Sequence, residues 1–226
     1  MRSFEFALLD WIQGNLRNPV MDLLMPAVTT LGNGGLIWIA LAGILLLIPR
    51  YRKAGAAVLA GLALEVICCN LVLKPLIARV RPCDVNTAVQ LLVARPDDFS
   101  FPSGHTGASF AAVTALYAGG NRLWIPALLL AALISFSRLY LYVHYPTDVL
   151  AGILLGAAAG WLGSQGIACV GGKLHHGLEI ILPADRRPHH GGDPVLSAAP
   201  GSADAVHPTA ERTVSGQSPY GPTGDG

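Results

Sequence analysis

Residues 54–82 read AGAAVLAGLALEVICCNLVLKPLIARVRP, and the reading of the fold starts from the change of character at Lys74. From 54 to 73 the chain is rich in Ala, Gly, Leu and Val. As a helix of about 20 residues, it is long enough to cross the ~30 Å hydrocarbon core of a bilayer. Lys74, Arg79, Arg81 and Pro82 then follow within one short cluster. Glu65 falls mid-span, where a carboxyl is costly, so it must face the bundle interior or a water-filled cavity. Asn70 stands one turn before Lys74 and is placed to support it.

Further apolar segments flank this one. Residues 35–49 are apolar throughout and end at Pro49, with Arg50, Arg52 and Lys53 beyond. Residues 105–119 are shorter and rich in small side chains, which let helices approach closely. Residues 123–142 and 147–170 are again full-length. Residues 19–32 (PVMDLLMPAVTTLG) are apolar but short and interrupted by Asp22 and Pro26, so they either span obliquely or re-enter. The expected fold is all-α: a polytopic transmembrane bundle of five to six membrane helices.

At either end the pattern changes. Residues 3–17 form a weakly amphipathic helix with Phe4, Leu8, Trp11, Ile12 and Leu16 on its apolar side. They lack the basic start and small-residue cleavage site of a signal peptide. This helix is expected at the interface, with Trp11 at headgroup level. Residues 171–226 are dense in Gly, Pro, Ser, Ala and His and carry almost no apolar run apart from 178–182. Such a segment cannot offset its ordering entropy. Three parts are therefore expected: an interfacial helix over 1–18, a membrane domain over 19–170 and a disordered tail over 171–226. The His175-His176 and His189-His190 pairs fall in that tail.

Composition agrees with a membrane setting. Hydrophobic residues make up 52% of the 226 and charged residues 13%, against about 25% charged in soluble domains. Mean hydropathy is +0.50. A net charge of +1, with no basic stripe, gives no argument for nucleic acid, and none is expected as a partner. Cys68, Cys69, Cys83 and Cys169 lack the paired spacing of a zinc site, and no metal or other cofactor is expected.

Orientation follows from the Arg50–Lys53 turn, whose three cations join two long spans and mark a cytoplasmic loop. Counting crossings from there brings three polar clusters to the extracytoplasmic face. These are Lys74 to Pro82, Pro102-Ser103-Gly104-His105, and Ser137-Arg138 with His144 and Asp148. Lys74, Arg79, Arg81 and Arg95 on that face run against the positive-inside trend, an exception that a need for phosphate-binding cations explains.

These clusters suit cleavage of a phosphate ester. Non-bridging oxygens need neutralising, a nucleophile must attack in line, and the leaving oxygen needs a proton. Lys74, Arg81 and Arg138 supply cations, two of them with the planar guanidinium fork. Ser103-Gly104 opens a helix whose N–H groups can meet an anion, and the Ser103 hydroxyl can donate as well. Asp148, in the first turn after Pro146, can reach back to one nitrogen of His144 and free the other to attack. His105 has no such carboxylate nearby and is better placed as general acid.

The pattern Lys74-x6-Arg81-Pro82, Pro102-Ser103-Gly104-His105 and Ser137-Arg138-x5-His144-x3-Asp148 resembles the tripartite signature of type 2 phosphatidic acid phosphatases, over roughly residues 19–168. The resemblance implies a helical core related to vanadium haloperoxidases and a metal-independent phosphatase site. It implies His144 as nucleophile through a phosphohistidine, Asp148 as its partner and His105 as acid. Lys74, Arg81, Ser103, Gly104 and Arg138 would hold the phosphoryl group. The small size is similar to bacterial members, including those that dephosphorylate undecaprenyl pyrophosphate. The implied substrate is a lipid phosphate or pyrophosphate: phosphatidic acid, phosphatidylglycerol phosphate or undecaprenyl pyrophosphate. A lipid phosphotransferase using the same site, and a non-catalytic lipid-phosphate binder or transporter, remain as alternatives.

Overall fold

Helices supply every regular element among the described residues, which are 2–181 for the backbone and 4–170 for side-chain surroundings in this computed structural model. In order they are α1 (Arg2–Asn15), α2 (Pro19–Leu31), α3 (Leu36–Leu47), α4 (Arg52–Val66), α5 (Lys74–Ile77), α6 (Pro82–Val85), α7 (Gly104–Ala118), α8 (Trp124–Tyr140) and α9 (Pro146–Ile181). The arrangement is a polytopic transmembrane bundle. Large apolar side chains such as Leu23, Leu47, Leu71, Leu129 and Leu154 point outward, an exposed apolar girdle of the kind that faces lipid.

Local sequence chemistry sets the boundaries. Asn18 caps α2, its side-chain oxygen accepting from the N–H of Val20 and Met21 at 3.1 Å each, and Pro19 takes the first helical position. Between α2 and α3, Gly34 and Gly35 adopt φ of 58° and 68°, a left-handed conformation that glycine enters without a Cβ penalty.

The segment 19–32 is not a separate crossing. Together, α2 and the 33–47 segment pass as one apolar span bent by 45°. Contacts descend steadily along it: Thr29 meets Arg138, Gly32 lies against Ile134, Gly35 against Ala108, and Trp38 donates to Ser109 Oγ at 3.0 Å. Two helical segments, Pro49–Val85 and Pro146–Val170, are long and apolar enough to cross unaided, and the bent pair counts as a third if it is one span. By length alone, α7 with 15 residues and α8 with 17 fall short of the expected five to six spans. Their packing among the longer helices carries them.

Small residues make that packing close. Gly152, Gly156 and Gly160 of α9 lie successively against Ser103, Gly107 and Ala111 of α7, so these two helices run parallel. Gly163 meets Gly61 and Ala57 of α4 on another face. Lipid tails are as apolar as leucine, so dispersion at such seams, rather than the hydrophobic effect, holds the helices together. Beneath α1, a second cluster packs Leu9 and Ile12 on Met25, Tyr140, Tyr142 and Tyr145.

Before Lys74 the long helix loosens into π-helical turns over Ile67–Leu73. Each such turn adds a residue to the helical repeat and rotates the residues beyond it about the helix axis. At its carboxyl end, helix α9 continues past the expected boundary at 170 to Ile181. The remainder of the expected tail, 182–226, and the His189-His190 pair lie outside the described residues.

Candidate active site

The three polar clusters meet at one end of the bundle. Lys74, Arg81, Gly104, His105, Arg138 and His144 line a single cavity of about 1270 Å³. Its other wall is apolar and runs into the bundle along Ile39, Leu59, Leu62, Ala63 and Val66. Glu65 lines the same space; it is buried, and its Oε1 has no hydrogen-bond partner.

His144 sits in the tight connection between α8 and α9. Arg81 Nη1 lies 3.1 Å from its Nε2 and also donates to the carbonyl of Val143 at 2.8 Å. A guanidinium can only donate, so Nε2 presents its lone pair and the ring proton belongs on Nδ1. Nδ1 faces Asp148 Oδ2 at 3.5 Å, too far for a hydrogen bond. Burial, then the charges of Arg138, Arg81 and Lys74, hold the imidazole well below its usual range, so the resting ring is neutral.

Asp148 is secured chiefly by others. Arg79 Nη1 approaches its Oδ1 at 2.5 Å, the Tyr145 N–H donates to Oδ2 at 2.9 Å, and the Ser100 hydroxyl bonds the same oxygen. Arg79 in turn meets Glu5 of α1 at 2.6 Å and Thr147 at 2.7 Å. Its guanidinium stacks 3.9 Å over the Tyr145 ring, adding a cation–π contact. The backbone N–H of Ser103 donates to the Asp148 carbonyl at 3.1 Å, which ties the second cluster to the third.

The remaining residues divide between cavity and support. His105 Nε2 meets Asn33 Oδ1 at 2.9 Å, in the break between α2 and α3. Arg138 Nη1 donates to Thr29 Oγ1 at 2.6 Å, and its Nε is buried without a partner. Ser103 is fully buried, and its hydroxyl sits 3.1 Å from Thr106 Oγ1. Gly104 and His105, not Ser103, line the cavity.

Asp98 was not singled out from sequence. It bonds Lys74 Nζ through one oxygen and Arg81 Nη2 through the other, the latter at 2.5 Å. Burial works to raise its carboxyl, but the hydrogen bond to Lys74 and the charges of Arg81 and Lys74 bring it down to about 2. Sequence reasoning also assigned no role to Ser100, Asn33, Thr29 and Glu5, and grouped Arg79 only with the outer-face cations. Arg79 carried a signal, lying two positions before Arg81; the others gave none. Among the described residues, no three His, Cys, Asp or Glu side chains gather as a metal requires.

Comparison with known proteins places the chain in a family. The PAP2 superfamily pattern matches residues 54–168, and the chain belongs to that superfamily. A relative named undecaprenyl-diphosphatase, from Sulfolobus acidocaldarius, is 36% identical over 57% of this chain and 63% of its own length. One named lipid A 4'-phosphatase, from Bacteroides thetaiotaomicron, is 31% identical over 72% of this chain and 76% of its length. Among solved structures, Aquifex aeolicus LpxE superposes with TM-score 0.60 at 29% identity, covering 71% of this chain and 94% of that one. The Bacillus subtilis PAP2-type phosphatidylglycerolphosphate phosphatase gives 0.59 at 26% identity, with 82% and 89% covered.

Proposed function

We propose that the chain is a metal-independent lipid phosphatase that hydrolyses a phosphate monoester or diphosphate through a phosphohistidine on His144. The observation that carries this reading is the convergence of Lys74, Arg81, Arg138, His105 and His144 on one cavity with an apolar wall. The cations take the phosphoryl oxygens and the apolar wall takes the lipid chain. The relatives named as diphosphatases and lipid phosphatases support the substrate class.

In this mechanism Arg81 Nη1 turns its hydrogen bond from His144 Nε2 to a phosphoryl oxygen, and the freed Nε2 lone pair attacks phosphorus, forming an N–P bond as the bond to the leaving oxygen breaks. His105 gives that oxygen a proton, while Arg81, Lys74 and Arg138 stabilise the charge on the non-bridging oxygens. Asp148 compensates the imidazolium-like charge that develops on His144. Water then attacks the phosphohistidine, His105 takes its proton, and His144 leaves with its lone pair restored. The site faces the extracytoplasmic side, opposite the Arg50–Lys53 turn.

The test is phosphate release by the full chain in detergent, with EDTA present. The substrate panel is undecaprenyl diphosphate, undecaprenyl phosphate, phosphatidic acid and phosphatidylglycerol phosphate. Release from at least one is expected. A strict requirement for a divalent ion would sink the mechanism, and release only when a lipid acceptor is supplied would make the protein a transferase.

A further inference from the structure

The loop that leads into α7 places a carboxylate where a phosphate would sit. Both Asp98 oxygens are engaged, one by Lys74 Nζ and one by Arg81 Nη2, and Arg81 Nε holds the Asp98 backbone carbonyl at 2.8 Å. Among the described residues, no other carboxylate pairs with either cation. The two sides of this contact differ in freedom. The Arg81 side chain is 2% exposed and the Asp98 side chain 52%, so the carboxylate can swing into water while the cations stay fixed.

We infer that Asp98 is an internal competitor that sets a charge threshold on the ligand. It lays one negative charge across Lys74 and Arg81. A ligand must therefore bring more than one charge to gain by displacing it. This rests on the reading of the cavity as a lipid-phosphate site.

The surrounding bilayer gives this threshold a purpose. Its anionic lipids present phosphodiesters, each with the same non-bridging oxygens as the substrate but a single negative charge. Displacing Asp98 with such a headgroup exchanges one set of charge-assisted hydrogen bonds for an equivalent set. A terminal phosphate carries about −1.5 to −2 at neutral pH, and a diphosphate carries more. Those ligands satisfy Lys74 and Arg81 and still have charge left for Arg138, whose Nε lacks a partner. Discrimination of this kind works by rejecting the wrong ligand rather than by added attraction to the right one.

The experiment measures phosphate release from the best substrate of the panel, in neutral-detergent micelles, as the mole fraction of phosphatidylglycerol is raised. The wild type is expected to resist this singly charged phosphodiester. Asp98→Asn should be inhibited at about tenfold lower phosphatidylglycerol, the size of one charge-assisted contact made available. Asp98→Glu should behave as the wild type. A variant too slow to assay is read instead by melting: phosphatidylglycerol should raise the Tm of Asp98→Asn or Asp98→Ser and leave that of the wild type unmoved.

Equal sensitivity of wild type and Asp98→Asn would overturn the proposal. So would weaker binding of both lipid classes by the variant, since that is the result expected if Asp98 only props Lys74 and Arg81 in place. A wild type that releases phosphate from no lipid counts against the phosphatase reading. A wild type that turns over, with an Asp98→Asn variant no more sensitive, counts against the threshold alone.

Discussion

Arg79 Nη1 lies 2.5 Å from Asp148 Oδ1, and Asp148 is fully buried. The charge of the third cluster's carboxylate is thus compensated from behind by a residue of the first cluster, while the side toward the neutral His144 ring is left with a 3.5 Å approach. Removing one partner of such a pair strands a buried charge, at a cost of about 3–5 kcal/mol. Arg79→Ala should therefore lower the melting temperature sharply and reduce turnover. Arg79→Lys should keep the charge but lose the fork that spans Asp148, Thr147 and Glu5, giving an intermediate phenotype. Melting curves and phosphate release on the three proteins decide this. An Arg79→Ala protein as stable and active as wild type would remove Arg79 from the support of the site.

The neutral state of His144 has a consequence for acid stability. Its folded pKa is held below the ordinary value, so the unfolded chain takes up a proton near pH 6.5 that the folded protein refuses. Stability from this residue is complete above that pH and is lost as the pH falls toward the folded value. Replacing it by His144→Gln should flatten the decline of Tm between about pH 6.5 and pH 5, while abolishing turnover and any acid-labile phosphoenzyme. Melts of both proteins across this window provide the test, and parallel curves would argue against a neutral buried ring.

If His105 is the proton donor, its importance should depend on the leaving group. His105→Ala should slow hydrolysis of a lipid monoester, whose leaving alkoxide is strongly basic, by about 10²–10⁴-fold. The loss should be far smaller for p-nitrophenyl phosphate, whose phenolate departs without a proton. Asn33→Ala, which removes the 2.9 Å contact to His105 Nε2, should show the same pattern in weaker form. Equal losses on both substrates would assign His105 to binding instead.

The α7–α9 seam makes a prediction about stability alone. A Cβ at Gly156 would collide with the carbonyl oxygen of Gly107 and stand 3.0 Å from the amide nitrogen of Ala111. Gly156→Ala should therefore destabilise by about 1–3 kcal/mol, as overpacking does. At Gly166 of the same helix nothing lies within 4 Å of an added Cβ. Gly166→Ala should be neutral or stabilising by up to about 1 kcal/mol, because alanine is the better helix former. Thermal melts of the pair separate seam contacts from general helix propensity.

Much of the bundle is legible in the sequence because apolar runs end abruptly at cations, prolines and glycines. The clusters at Lys74, Pro102 and Arg138 stand out because polar groups are rare in such a chain. The bend at Gly34 and Gly35 was not readable: two short apolar segments look the same whether they turn back or continue. The partners of the site were hidden by distance along the chain. Glu5 reaches Thr147 across 142 positions, and Asn33 reaches His105 across 72. The direction of the Ser103 side chain was also hidden: spacing puts it beside Gly104, but side-chain direction at the start of a helix cannot be read from spacing, and its hydroxyl turns to Thr106.

The parallel course of α7 and α9 has an electrical consequence. Most neighbouring helices in a bundle run opposite ways, so their dipoles oppose. Here two amino termini, at Gly104 and Pro146, end on the same side, and Gly104 lines the cavity. Each contributes roughly half a positive charge from its unpaired peptide groups. If the cavity takes a phosphate, part of its attraction is carried by the main chain, where no side-chain substitution can erase it.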